Sequence, residues 1–261
     1  MYLQLQSIQK TFDHADHCTI ENLSLNIKEG EFICVVGPSG CGKSTLLNLI
    51  AGLDTPTKGE ILLNGEPVTG PGADRVVMFQ EAALYPWLNV MQNVMFGLAA
   101  AGYKKAEQKK IAEKYLKMVH LWDYRDYPIH QISGGMKQRT ALARSLALDS
   151  KVLLMDEPFS ALDKQTINML REELVQIWKK TGKTILYVTH SVEEAVYFAD
   201  RVIVMSETAG RIKADIPISM PKPRNIDDYD FVKLRKHILS LVGESHRRKT
   251  ANEYDQEEQA C

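Results

Sequence analysis

Two stretches of this sequence have the residue types needed to hold a phosphate. The first, "GPSGCGKST" at residues 37–45, fits the pattern G-x-x-x-x-G-K-[ST]. Its glycines let successive backbone N–H groups turn into one concavity around an anion. Lys43 supplies a mobile cation for the β/γ-phosphates of a nucleoside triphosphate, and Ser44 a hydroxyl for Mg²⁺. Composition alone yields this pattern in about one chain in a hundred of this length. The flanks make chance less credible, because "EFICVVG" reads as a buried strand and Lys43–Ala51 as a helix. The second stretch is "HQISGGMKQRTALARSLAL" at residues 130–148. Ser133, Gly134 and Gly135 remove side-chain bulk ahead of an expected helix, so that an anion can approach its first N–H groups. Alone, the same residues are also an ordinary loop-to-helix junction.

The acids lie in "KVLLMDEPFSALD". Val152 to Met155 make a buried strand whose C-terminal Asp156 faces the crevice where open α/β sheets bind ligands. Asp156 suits the Mg²⁺ shell through water, and Glu157 is the candidate general base for an attacking water. Read alone, the segment is equally a strand ending in two solvated acids. Gln80 closes "RVVMFQ" and His190 closes "TILYVTH", so both point toward that crevice. His190 would meet the γ-phosphate, and Gln80 would sense Mg²⁺ and the water; taken singly, each is as readily a structural polar residue. Phe12, 25 residues ahead of Gly37, offers a face for adenine or a ring for the core. Cys41 sits where clustered N–H groups favour a thiolate, unless it is a small side chain that simply fits.

The surrounding pattern has to position these groups. "YLQLQSI" and "IENLSLNI" alternate as half-buried strands, "GEILLNG" and "RVVMFQ" follow, and "KVLLMDE", "KTILYVTH" and "RVIVMSE" resume the pattern between helical stretches 163–180 and 191–199. Strands alternating with helices predict an α/β core with a parallel sheet. Residues 84–149 are helical in pattern, including the lysine-rich "YKKAEQKKIAEKYLKMV", and read as an inserted lobe. Residues 227–243 offer a last helix with Phe231, Leu234, Ile238 and Leu241 on one face. Residues 244–261 read as a polar, disordered tail.

Bulk properties narrow the class. A net charge of −1 gives no electrostatic reason to expect nucleic acid as a partner. Cys18, Cys34, Cys41 and Cys261 show no metal or disulfide spacing, which suits a reducing cytosol. "MYLQLQSIQK" lacks signal-peptide layout, and no apolar run approaches the ~18 residues of a membrane span.

Taken together, "GPSGCGKST", Gln80, "ISGGMKQR", "VLLMDE", "SALD" and His190 occur in the order of ATP-binding cassette (ABC) ATPases, and the resemblance covers residues 1 to about 220. It implies a P-loop NTPase (RecA-like) core at 1–83 and 150–220, an N-terminal antiparallel β subdomain and the helical subdomain at 84–149. It implies ATP and Mg²⁺ as cofactors. The nucleotide contacts would be Phe12, Gly37, Pro38, Ser39, Gly40, Cys41, Gly42, Lys43, Ser44, Thr45 and Gln80, with Ser133, Gly134, Gly135 and Asp163 of "SALD". Metal contacts would be Ser44, Gln80 and Asp156; catalysis would rest on Glu157, His190, Gln80 and Lys43. Ile132–Met136 resembles the family's "LSGGQ" signature with Ile for Leu and Met for Gln, so any contact by a Gln amide is missing. In the family this signature completes the other subunit's nucleotide site in a head-to-tail dimer, which gives the second cradle its purpose.

"MFQEAALYPWLNVMQNVMFGL" (78–98), "SGGMKQR" and "PKPR" resemble the nitrate/sulfonate/taurine branch of bacterial importers. That implies a peripheral ATPase on the cytoplasmic face, a separate membrane permease docking near Leu84–Gly97, and an extracytoplasmic solute-binding protein acting indirectly. The apolar Leu84, Tyr85, Trp87, Leu88 and Val90 would form the docking groove, or else lobe core. A soluble cassette acting on nucleic acid or the ribosome is the alternative, and a simple P-loop kinase leaves the signature, Gln80 and His190 unexplained.

Overall fold

The computed structural model describes residues 1–12, 18–160, 162–207 and 209–258, with side chains through residue 243. In chain order the elements are β1 (Leu3–Lys10), β2 (Ile20–Ile27), β3 (Phe32–Val36), α1 (Lys43–Ala51), β4 (Lys58–Leu63), β5 (Glu66–Pro67) and β6 (Arg75–Met78). Then come α2 (Val90–Ala100), α3 (Lys105–Met118), α4 (Gly134–Ala147), β7 (Val152–Asp156), α5 (Lys164–Thr181), β8 (Thr184–Val188) and α6 (Val192–Phe198). β9 (Arg201–Met205), β10 (Ile212–Pro217) and α7 (Tyr229–Glu258) complete the chain. They form two compact units, residues 1–71 with 184–261, and residues 72–183.

The first unit holds two sheets. Alternation in β1 and β2 sends Leu3, Leu5, Ile8 and Leu23, Leu25, Ile27 inward, and the two strands pair antiparallel with Leu3 opposite Ile27. β1 also pairs with β4, and β5 closes that sheet in the order β2-β1-β4-β5. The second sheet has β3 running parallel between β8 and β9, with β10 antiparallel on β9. β3 and β8 are buried at every residue, as unbroken apolar runs covered on both faces must be. Phe32 stacks on Phe198 at 5.3 Å and lies 6.1 Å from Tyr187, fixing the start of β3 against α6.

In the second unit β6 and β7 pair in parallel, Val77 beside Leu154, and α2, α3 and α4 pack on one another. α2 starts in a capping box of Asn89 and Gln92. Asn93, fully buried, accepts from Tyr85 N–H at 2.8 Å and donates to the carbonyls of Tyr85, Leu88 and Asn89, so it fixes the turn that carries Trp87. The unit is wider than the expected 84–149 lobe because α4 also packs on β6. α7 buries Phe231 and Ile238 and continues to Glu258, where a disordered tail was expected from 244. That segment contains neither Gly nor Pro, so a helix nucleated upstream meets nothing that stops it. Among the described residues no helix is long and apolar enough to cross a membrane.

Candidate active site

The first cradle is the turn from β3 into α1. A Cβ on Gly37 would sit 2.8 Å from Cys41 Sγ, and one on Gly42 (φ 94°) would sit 3.0 Å from the Thr19 carbonyl, so only glycine serves at either position. Gly40 (φ 77°) faces open space, and Ser39 and Ser44 are exposed. α1 begins after Gly42 with no side-chain cap and no acid in its first turn. The N–H groups of Lys43, Ser44 and Thr45 and the positive end of the helix dipole are thereby left for an anion. Lys43 folds back on the loop, 8% exposed, and donates from Nζ to the carbonyls of Gly37 (2.9 Å) and Pro38 (2.8 Å).

Cys41 follows the second of its two readings, the small side chain that fits. It is 2% exposed, and burial pushes its thiol up more strongly than the neighbouring Lys43 charge lowers it. The N–H cluster does not make a thiolate here; Cys41 is a small side chain that fills space behind the turn.

His190 lies two residues past the end of β8, exposed. Its loop is held from below: Thr189 N–H donates to the Val35 carbonyl at 3.2 Å, and the Thr189 and Tyr187 hydroxyls donate to Glu194 Oε2 at 2.9 and 2.8 Å. Glu194 is buried, which sequence reading missed because "SVEEAV" looks like a solvated acidic turn. Phe12 is 42% exposed and not in the core, with Lys10 Nζ 4.7 Å from its ring centroid.

In the second unit Asp156 ends β7 as expected, buried, and Glu157 follows with φ 44°. That left-handed conformation costs a non-glycine residue about 1 kcal/mol. Strain of this kind collects where a side chain must be aimed. Ser160 donates from both N–H and hydroxyl to the Glu157 carbonyl, which holds the turn. β6 ends at Met78, so Gln80 lies on the following loop and not on the strand itself. Its Nε2 donates to Glu157 Oε2 at 3.4 Å. Ser133 caps α4, its Oγ accepting from Met136 N–H at 3.3 Å, and Gly134 has no atom within 4 Å of a would-be Cβ. A Cβ on Gly135 would lie 3.3 Å from Leu162, so the "SGG" and "SALD" segments adjoin. Asp163 caps α5, accepting from Thr166 N–H (3.0 Å) and hydroxyl (2.7 Å); these bonds hold its carboxyl below the usual aspartate range. Gln138 and Arg144 of α4, which the sequence did not single out, grip the Gln80 loop.

These residues fit their expected ligands. The open glycine cradle of the first unit has the shape a phosphate would need, and Ser44 in that unit and Asp156 in the second each carry the hard oxygen that Mg²⁺ prefers. Among the described residues no three His, Cys, Asp or Glu gather as a metal cage. Mg²⁺ needs none, since it is commonly held by one or two carboxylates with substrate phosphates.

Comparison with known proteins identifies the family. The family described as ABC transporter matches residues 20–160. An uncharacterized ABC transporter ATP-binding protein of Methanocaldococcus jannaschii is 49% identical over 92% of this chain and 91% of its own. The nitrate import ATP-binding protein of Synechocystis sp. is 48% identical over 93% and 95%, and the taurine import ATP-binding protein of Roseobacter denitrificans 42% over 92% and 93%. The dimeric post-hydrolysis structure of the ATP-binding cassette MJ0796 with ADP and Pi superposes with a TM-score of 0.77 at 32% identity, covering 84% of this chain and all of that one. The chain belongs to the ABC transporter family, as an ATP-binding cassette ATPase.

Proposed function

We propose that this chain is the ATP-hydrolysing subunit of an importer for a small solute such as nitrate, a sulfonate or taurine, working as a head-to-tail dimer beneath a separate permease. The observation that carries the reading is the second cradle. α4 offers an exposed, side-chain-free N-terminus at Gly134, in a chain that already has a phosphate site at residues 37–45. The relatives named for nitrate and taurine import support the solute class.

Lys43 leaves the Gly37 and Pro38 carbonyls to hold the β/γ-phosphates, and the α1 N–H groups close on the same anion. Phe12 stacks on adenine. Ser44 and Asp156, with Gln80, would hold Mg²⁺, which neutralises developing phosphate charge when bound. Glu157 accepts the proton of the attacking water, and Gln80 orients that carboxylate through its amide. His190 faces the γ-phosphate. Ser133 to Gly135 and Asp163 complete the partner's nucleotide site. Trp87 is 74% exposed and Tyr85 and Leu88 half-buried, as a permease contact on the cytoplasmic face requires; Val90 is buried and belongs to the lobe core.

Mixing two inactive proteins tests the shared site. Lys43→Ala removes the phosphate cation, and Ser133→Arg obstructs the α4 N-terminus; each homodimer carries its lesion in both pockets. In a mixed dimer both lesions fall in one pocket, so ATPase activity should return through the other. Lys43→Ala mixed with Glu157→Gln should stay inactive, because each pocket keeps one lesion. No recovery in the first mixture despite proven mixed dimers, or recovery in the second, counts against the reading.

A further inference from the structure

The helical lobe carries a concentration of positive charge that the nucleotide site does not use. α3 with its N-cap holds Lys104, Lys105, Lys109, Lys110, Lys114 and Lys117 against only Glu107 and Glu113, in a chain whose net charge is −1. All six lysines are exposed. The helix buries Ala112, Tyr115 and Leu116 and packs on α2 and α4, while Lys110, Lys114 and Lys117 line up one turn apart on the outer face. Its two acids do little to neutralise that face. Glu107 accepts the Lys104 N–H at 3.0 Å to start the helix, and Glu113 pairs with Lys117 at 2.6 Å. Among the described residues no ion pair reaches Lys105, Lys109, Lys110 or Lys114. Lys105 with Lys109, and Lys110 with Lys114, are like charges at i,i+4, which destabilise a helix. Water alone gives no reason to keep them, whereas an external negative surface turns the same charges into attraction.

Aromatic rings border the lysines at the C-terminal end of α3. Trp122 opens the short 3₁₀ turn Trp122–Tyr124, half-buried, with Lys117 Nζ 5.4 Å and the Arg125 guanidinium 4.6 Å from its ring centroid. Tyr124 and Tyr127 are exposed and meet edge to face at 5.3 Å. Asp123 and Asp126 lie in the same stretch, the latter 3.4 Å from Arg125, so the excess charge belongs to α3 itself. Trp and Tyr are the side chains enriched at the headgroup level of a bilayer. This segment is tied to the start of α2: Val90 N–H donates to the Tyr127 carbonyl at 3.1 Å, and Met91 N–H to the Arg125 carbonyl at 2.9 Å. Trp87 is three residues before Val90, so the basic and aromatic surface adjoins the patch assigned above to the permease.

We propose that the lysine face of α3 binds the headgroups of anionic phospholipids, with Trp122, Tyr124 and Tyr127 at its margin. This rests on the reading that a permease holds the chain beneath a membrane. Clusters of about four to eight basic residues on a helix are enough to be drawn to an anionic leaflet. The apolar side of α3 is spent on the lobe, so the helix rests on headgroups without inserting, and its binding is reversible and sensitive to salt. Weak on its own, the contact counts once the permease has brought the lobe to the surface, because the second attachment is then intramolecular. Two attachments also fix the lobe's orientation, which one does not.

The test is co-sedimentation of the full chain with phosphatidylcholine vesicles, with and without about 30% phosphatidylglycerol to supply the anionic charge. Wild type should bind the anionic vesicles at low salt and the neutral ones little, and raising the salt about tenfold should release it. Lys109→Gln, Lys110→Gln and Lys114→Gln together should weaken binding about a hundredfold, at roughly fivefold per lysine near such a surface. Arginine at the same three positions should bind as wild type does. Glutamine forms helix as well as lysine, and unchanged gel filtration and basal ATPase show that the variant is folded. Equal binding to both vesicles, no binding to either, or full binding by the glutamine variant overturns the proposal. Tighter binding of wild type to a DNA duplex than to the anionic vesicles overturns it too, and assigns the face to nucleic acid. None of these outcomes touches the functional reading, which the mixed dimers test without lipid; failure there removes that reading whatever the vesicles show.

Discussion

Cys41 and Lys43 sit two residues apart in one turn, and the sequence offered one reading of Lys43 but left two open for Cys41. The pattern G-x-x-x-x-G-K identifies Lys43 because its chemistry is carried by spacing. The state of Cys41 depends on burial behind the loop, where its Sγ lies against Gly37, which no local pattern records. The raised thiol gives a direct prediction. Below its shifted pKa the group is protonated and unreactive, so maleimide at neutral pH should modify the half-buried Cys18 well before Cys41. Raising the pH beyond the ordinary thiol range should narrow the gap. Rapid labelling of Cys41 at pH 7, read by mass spectrometry, would contradict the buried geometry. Glu194, Gln138 and Arg144 escaped the sequence for the same reason: each is a polar residue in a helix, and only the fold shows which carbonyl or hydroxyl it serves.

Helix starts were the most legible elements. Ser133, Asp163 and Ser191 each cap the helix that follows, because a short oxygen-bearing side chain satisfies N–H groups the helix leaves unpaired. Strand ends were less legible: "RVVMFQ" loses ladder pairing after Met78 although Phe79 is apolar, and α7 runs through Gly243 to Glu258. The α5 cap carries a pH signature. Asp163 titrates below the usual aspartate value in the folded chain, so its contribution is present above the unfolded pKa and is lost as pH falls through the folded one. Thermal melting of Asp163→Ala should fall below wild type at pH 7, and the two should converge in acid. A difference that persists below the lowered pKa would show that the carboxylate is not the stabilising group.

At the scale of the whole molecule, order along the chain announced a nucleotide-binding α/β core and a helical lobe, but not where compactness divides them. Residues 72–83 and 150–183 belong to the same compact unit as the lobe; α4 packs on β6 as well as on α2 and α3, and β6 pairs with β7. The aromatic cluster on that lobe is the feature whose role the sequence left open. Tyr85 lies 4.2 Å from Phe96 and 5.6 Å from Trp87, centroid to centroid, and Trp87 and Phe96 are exposed. Trp87→Asp with Phe96→Asp should leave the melting temperature and basal ATPase near wild type and abolish co-purification with the permease. The reason is that charge in an apolar interface costs several kcal/mol of desolvation. Retained co-purification would place the permease elsewhere.

The strand margins of the first unit carry a further consequence. β10 exposes Lys213, Asp215 and Pro217 along its outer border, β5 is two residues long and contains Pro67, and β2 departs from regular pairing and turns at Asn22 with φ 47°. Each blunts a border that would otherwise template another chain's backbone. Crowded at high concentration, copies of this protein have no easy way to zip together through these three borders, a contact that would be slow to undo. Encounters are left to side-chain surfaces, which can let go again after every turnover.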